Sequence, residues 1–190
     1  MPILIQGVVI KKYILIFIMP LAFITAIEDA GQNQEYETII SLQGFSWGTS
    51  IDDVIKIMGK PLSREKNNNL DSLIWEGIII NGYTTYMQAY FSNKELQGGT
   101  YYFLTYNMEE HMKCYSEMRE ELCNRFGPTF LFDGIINELR AYESSWNLPG
   151  GYIHLKVNTR MGDPVTLWYS SPKLTKEIFG EPEHNTKKKK

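Results

Sequence analysis

The stretch SLIWEGIIINGYTTYMQAYF, residues 72–91, decides the fold. It contains two runs rich in β-branched and aromatic residues, 72–80 and 83–91, separated by Asn81-Gly82. Asn-Gly supplies the two positive-φ residues of a tight turn, so the runs form a hairpin and must be antiparallel. In the second run Met87, Ala89 and Phe91 point one way, while Tyr86, Gln88 and Tyr90 point the other. The hairpin therefore has an apolar face and a polar-aromatic face. A third run, 96–106, follows the turn Ser92-Asn93-Lys94 and extends the meander.

Upstream, Thr49 or Ser50 begins a helix with Asp52 and Asp53 in its first turn. Acceptors and negative charge there satisfy unpaired N–H groups and oppose the helix dipole. Ile51, Val54, Ile55 and Met58 form one apolar stripe, Gly59 supplies a left-handed cap and Pro61 prevents continuation. Downstream the same grammar returns. Asn107 and Glu110 make a capping-box start, Tyr115, Met118, Leu122 and Phe126 form the stripe, and Gly127-Pro128 is the stop. Strands are expected at 141–148, 151–158 and 164–170, with turns at Pro149-Gly150 and at Arg160-Met161-Gly162-Asp163. Gly59 and Gly127, Trp75 and Trp146, and Tyr102 and Tyr169 recur at offsets of 67–71 residues. A helix-β-β-β unit written twice is the simplest account. The expected fold class is thus α+β: a tandem helix-β-β-β repeat forming a mainly antiparallel six-stranded sheet, with two helices on one face. The expected organisation is a signal peptide in 1–26, an N-terminal segment in 27–43, repeats in 44–106 and 107–171, and a C-terminal tail in 172–190.

The first unit opens Gly-Phe-Ser-Trp-Gly-Thr-Ser-Ile-Asp-Asp-Val-Ile-Lys-Ile-Met-Gly-Lys-Pro, residues 44–61. This resembles the G-x-[ST]-x-x-[DE]-V-x-x-x-x-G-x-P opening of small exported bacterial modules: the SmpA/OmlA lipoproteins of outer-membrane assembly and, by layout, the tandem β-lactamase inhibitor proteins. The resemblance implies an exported module that pairs a short helical segment with antiparallel strands. The chain departs from these families in lacking a lipid-attachment cysteine and the inhibitors' two disulfides. The resemblance lends no binding residue to a numbered position.

Composition and charge bound the rest. The 190 residues are 43% hydrophobic, 22% charged and 13% aromatic, which excludes disordered, collagen-like and coiled-coil classes. Lys11 and Lys12 precede an uncharged stretch from Tyr13 to Ile27, the pattern of a secretory signal and too short for a bilayer span. The expected mature chain begins between Ile27 and Gln32, in a secreted or periplasmic location, with no stable membrane span. Losing Lys11 and Lys12 leaves 17 basic against 22 acidic residues, a formal charge of −5; setting the lysines at 187–190 aside leaves 13 against 22, or −9. So acidic a body lacks the basic footprint that nucleic acid requires. Cys114 and Cys123 lie nine positions apart in one expected helix, about 13 Å along its axis, too far to bridge.

Chemistry-bearing motifs are few. Gly44-Phe45-Ser46-Trp47-Gly48 fits G-x-S-x-G, but the nucleophile elbow needs a strand, an immediate helix and a parallel sheet. Short hairpins exclude that sheet. A small hydrolase using Ser46 and His154 is the enzymatic alternative, and a structural envelope component is a third. His111 and Cys114 share a helix edge without the further ligands a metal requires. No phosphate-binding glycine loop is present, and no metal or other cofactor is expected. The feature that stands out is the strand face opposite the helices. Tyr86, Tyr90, Tyr152, His154 and Trp168 all fall on it, alternating with apolar residues. Aromatics of this kind anchor interfaces. The expected function is therefore a non-enzymatic binding module that recognises a protein or peptide of the cell envelope through an open sheet face.

Overall fold

The computed structural model describes residues 40–67, 70–128, 132–136, 141–159 and 163–179. The expected signal peptide and the lysines at 187–190 lie outside the described residues. The first half runs α1 (Ile51–Met58), β1 (Ser63–Asn67), β2 (Leu70–Ile80), β3 (Tyr83–Ser92) and β4 (Glu95–Phe103). The second runs α2 (Met108–Phe126), β5 (Phe132–Ile136), β6 (Ala141–Leu148), β7 (Gly151–Asn158) and β8 (Thr166–Ser170), followed by α3 (Pro172–Phe179). The β2–β3 hairpin turns at Asn81 and Gly82, with φ of 47° and 82°. The eight strands of the described residues join one antiparallel sheet in the order β1-β2-β3-β4-β8-β7-β6-β5.

This overturns the expected six-stranded sheet with two helices in tandem helix-β-β-β units. Among the described residues, α1 and α2 are each followed by four strands, the eight strands share one sheet, and α3 follows β8. The missed elements carry weak local signals. β1 reads Ser63-Arg64-Glu65-Lys66-Asn67 and has no apolar alternation; its backbone pairs with β2, and Arg64 contacts Asp71 at 2.8 Å. Charge of that kind suits an edge strand, because it discourages pairing with another chain. β5 is five residues long with a glycine at its centre, which weakens any strand pattern. α3 falls in what was expected to be tail. Its start is nevertheless well formed: Pro172 occupies the first turn and the Ser171 hydroxyl accepts the Leu174 N–H at 3.1 Å.

Registers fix which residues share a side. Trp75, Met87, Tyr101 and Leu167 lie in one row across β2, β3, β4 and β8, and the row continues through Leu155 and Ser144 on β7 and β6. That side holds the core. α2 packs on it through buried Cys114, Tyr115, Met118, Leu122 and Phe126, with the Tyr115 hydroxyl 2.7 Å from Ser144 Oγ. Ile51 and Val54 bring α1 into the same cluster.

One device closes both helices. Each C-cap glycine combines positive φ with extended ψ: Gly59 at 84° and −173°, Gly127 at 83° and −179°. The left-handed cap expected at Gly59 would have a small positive ψ instead. The observed geometry leaves each glycine carbonyl available to a core indole. Trp75 Nε1 donates to Gly59 O at 3.0 Å, and Trp146 Nε1 to Gly127 O at 2.9 Å. Each helix end is thereby tied to a strand of its own half.

The opposite face is not entirely open. α3 lies on it, because Gly98 shares a row with Tyr90, Ser170 and Tyr152, and a β-carbon there would lie 2.7 Å from Leu174 Cδ2. Leu174 is buried. The Ser170–Thr175 hydroxyl pair at 2.7 Å and the bond from Ser171 Oγ to Gln97 Oε1 at 2.8 Å secure the helix start. Among the described residues, α1 and α2 on one side and α3 on the other replace the expected bare face.

Candidate functional site

The five residues read from alternation, Tyr86, Tyr90, Tyr152, His154 and Trp168, all lie on the α3 side of the sheet and are all half-buried. The sheet order brings them together. β8 sits between β4 and β7, so Thr100 of β4 faces Trp168, and Trp168 faces His154. β3 and β7 are three strand spacings apart, about 14 Å.

Two clusters make up the face. In the first, Gln88 Oε1 accepts from the hydroxyls of Tyr90 and Tyr102, each at 3.2 Å. Tyr90 Oη also lies 3.1 Å from Thr100 Oγ1. Burial pushes the Tyr90 phenol up to about 12, so it remains a neutral donor at physiological pH. Tyr86 stands directly across from Tyr102 on β4 and from Glu76 on β2. In the second cluster, Tyr152 meets Trp168 edge-on with ring centroids 5.6 Å apart and His154 at 6.1 Å. Glu143 of β6 accepts Lys156 Nζ at 3.0 Å and lies 3.2 Å from His154 Nε2. Burial pushes the His154 imidazole below its ordinary range, Glu143 pulls it upward, and Lys156 adds to the fall. Beyond Tyr86 and Tyr102, Ile79, Thr84 and Leu104 form a more exposed row, Ile79 at 50% and Leu104 at 37%.

Tyr102 and Glu143 belong to this face and were not picked out from the sequence. Counting back through the Pro149-Gly150 turn pairs Glu143 with Lys156, so that signal was present in the hairpin arithmetic. Tyr102 follows from counting through the β3–β4 turn in the same way, apart from the extra residue, Gln97, that β4 inserts at its bulge.

Among the described residues no hydrogen bond joins Ser46 to His154. Ser46 is exposed in the turn before α1, its carbonyl accepts the N–H and hydroxyl of Thr49 at 3.2 and 2.7 Å, and His154 Nε2 is engaged with Glu143. His111, expected on a helix edge, is buried, with Nδ1 bonded to the Asn107 carbonyl. Among the described residues no three His, Cys, Asp or Glu side chains are placed to hold a metal ion. Among them also, no helix is long and apolar enough to cross a membrane.

No family model matches the chain, and no curated protein matches it. Among solved structures, a cysteine-rich secretory protein from Staphylococcus aureus subsp. aureus Mu50 is similar, at a TM-score of 0.45 and 7% identity over 76% of this chain and 49% of that one. The chain spans about half the length of that protein.

Proposed function

We propose that the chain is an exported, non-enzymatic binding module that recognises a protein or peptide of the cell envelope through the aromatic side of its sheet. The supporting observation is convergence. Five residues drawn from β3 in the first half and from β7 and β8 in the second lie on one face, half-exposed, with hydroxyl, amide, imidazole and carboxylate groups between the rings. A few aromatic anchors surrounded by satisfied polar groups is how interfaces concentrate their energy.

The test is a binding titration of Tyr86→Ala, Tyr90→Ala, Tyr152→Ala and Trp168→Ala against the envelope protein that the wild type retains. At least one variant should lose about 2 kcal/mol of affinity while remaining folded. Trp168 is the first choice, because it is the member of the second cluster that stands directly across from Thr100 of the first. Ser46→Ala should bind like the wild type. Four folded variants that all bind like the wild type would sink the reading.

A further inference from the structure

Glu143 is shared by two basic side chains that stand two residues apart on β7. Its carboxylate is only 13% exposed, one oxygen on Lys156 and the other on His154, which are themselves 33% and 25% exposed. With a neutral imidazole, Glu143 and Lys156 cancel. With an imidazolium, one carboxylate faces two cations and the cluster carries a net positive charge. Among the described residues, β6 contributes Glu143 to the surroundings of His154, its own strand β7 contributes Tyr152 and Lys156, and β8 contributes Thr166 and Trp168, which do not titrate. α3, which also touches β7, carries Lys173, Lys176 and Glu177. Tyr152 is pushed upward by burial and stays neutral. His154 is therefore the group in this cluster that an acid shift charges, with burial holding its titration below the ordinary 6.5.

Any partner seated on Trp168 and Tyr152 also covers His154, which lies directly opposite one ring and 6.1 Å from the other. Covering a balanced, hydrogen-bonded ion pair is tolerable, whereas covering an extra uncompensated charge is costly. We propose that His154 is a proton-operated release switch: the face holds its partner while the imidazole is neutral and lets it go when the imidazole is protonated. This rests on the binding-face reading. Covering His154 lowers its proton affinity further, so the partner's affinity falls by up to about tenfold per pH unit over the window between the free and bound pKa values. Burial already places the free-protein value below the ordinary 6.5.

The probe is a twelve-residue peptide without Asp, Glu or His, selected from a display library on the immobilised full chain at pH 7.5. Only a peptide whose binding Trp168→Ala abolishes is kept. Its Kd is then measured at pH 7.5 and 5.0, and His154 is titrated by NMR through its Cε1–H. The wild-type Kd should rise by about fivefold or more on acidification, with the NMR midpoint below 6.5. Whatever the affinity of His154→Gln at pH 7.5, its ratio should stay within about twofold. Glu143→Gln removes the group that favours the imidazolium, so both the NMR midpoint and the release should move to lower pH. A flat wild-type ratio, or a His154→Gln ratio as steep as the wild type's, overturns the switch and leaves the binding face standing. If no selected peptide depends on Trp168, the binding face falls and the switch falls with it.

Discussion

Leu155 and His154 are adjacent in sequence and sit on opposite sides of the sheet, so they test the face assignment most directly. Leu155 is fully buried against the α2 side. Leu155→Ala should cost about 2–5 kcal/mol in urea unfolding, through lost burial and the cavity left behind. His154→Ala should cost less than about 1 kcal/mol, because Lys156 retains its hold on Glu143 and the imidazole is partly solvated. The reverse ranking would mean a shifted register. His154 also sets a sign for stability against pH. Its folded-state pKa is lowered, chiefly by burial, so below 6.5 the unfolded chain binds more protons than the native one. Stability should therefore fall as pH drops from 6.5 through the folded-state value, and His154→Gln should lose less than the wild type between pH 7.5 and 5.5. Cys114 gives a third reading at this scale. It is fully buried and its thiol is pushed up to about 12 by burial, with Glu117 adding to the effect. It should be alkylated at pH 8 only as fast as the protein opens, which peptide mass spectrometry would show. Rapid labelling of native protein would place α2 in the wrong rotation.

At the scale of elements, Gly59 separates backbone from packing. A β-carbon there would meet nothing within 4 Å, yet φ of 84° with ψ of −173° is a conformation L-residues rarely adopt. Gly59→Ala should thus cost about 1–3 kcal/mol from strain alone. The fluorescence of Trp75 should shift as its bond to the Gly59 carbonyl loosens, and an unchanged melting temperature would remove the strain argument. The sequence displayed α1 and α2 because each combines a polar cap, an apolar stripe and a glycine stop, all local and mutually consistent. It displayed the β2–β3 hairpin because Asn-Gly dictates the turn. It did not display β1, whose charges erase the alternation, nor β5, whose central glycine shortens the pattern. α3 was legible in Ser171-Pro172, but short helices after a last strand are easily read as tail. The candidate face was legible strand by strand from alternation. Its assembly was not, because β8 lying between β4 and β7 is a long-range pairing that no local signal encodes. Thr100, paired on its other side with Gln88, came to face Trp168 only through that order.

At the scale of the whole molecule, the seam between the halves is the β4–β8 pairing, and it is built to be crossed from both sides. Gly98 admits Leu174 of α3 on one face, and Gly99 admits Leu42 on the other. Trp47, ahead of α1, donates to Gly150 O in the β6–β7 turn at 2.8 Å, a bond spanning 103 residues. The core cluster is also continuous, running from Leu73 and Trp75 through Met87, Tyr101 and Leu167 to Leu155 and Trp146. Two halves that share a sheet, a core and such cross-links have no independent surface along which to separate. The described chain should therefore unfold as one cooperative unit. Leu73→Ala in the first half and Leu155→Ala in the second, each fully buried, should lower the same single transition, with calorimetric and van't Hoff enthalpies in agreement. Each should also perturb residues of the other half: Leu73→Ala should lower the melting reported by Trp146 as much as that reported by Trp75. Two resolved transitions, or a loss confined to the mutated half, would show that the β4–β8 seam is a contact between separate modules. A face that spans that seam could not then act as one surface.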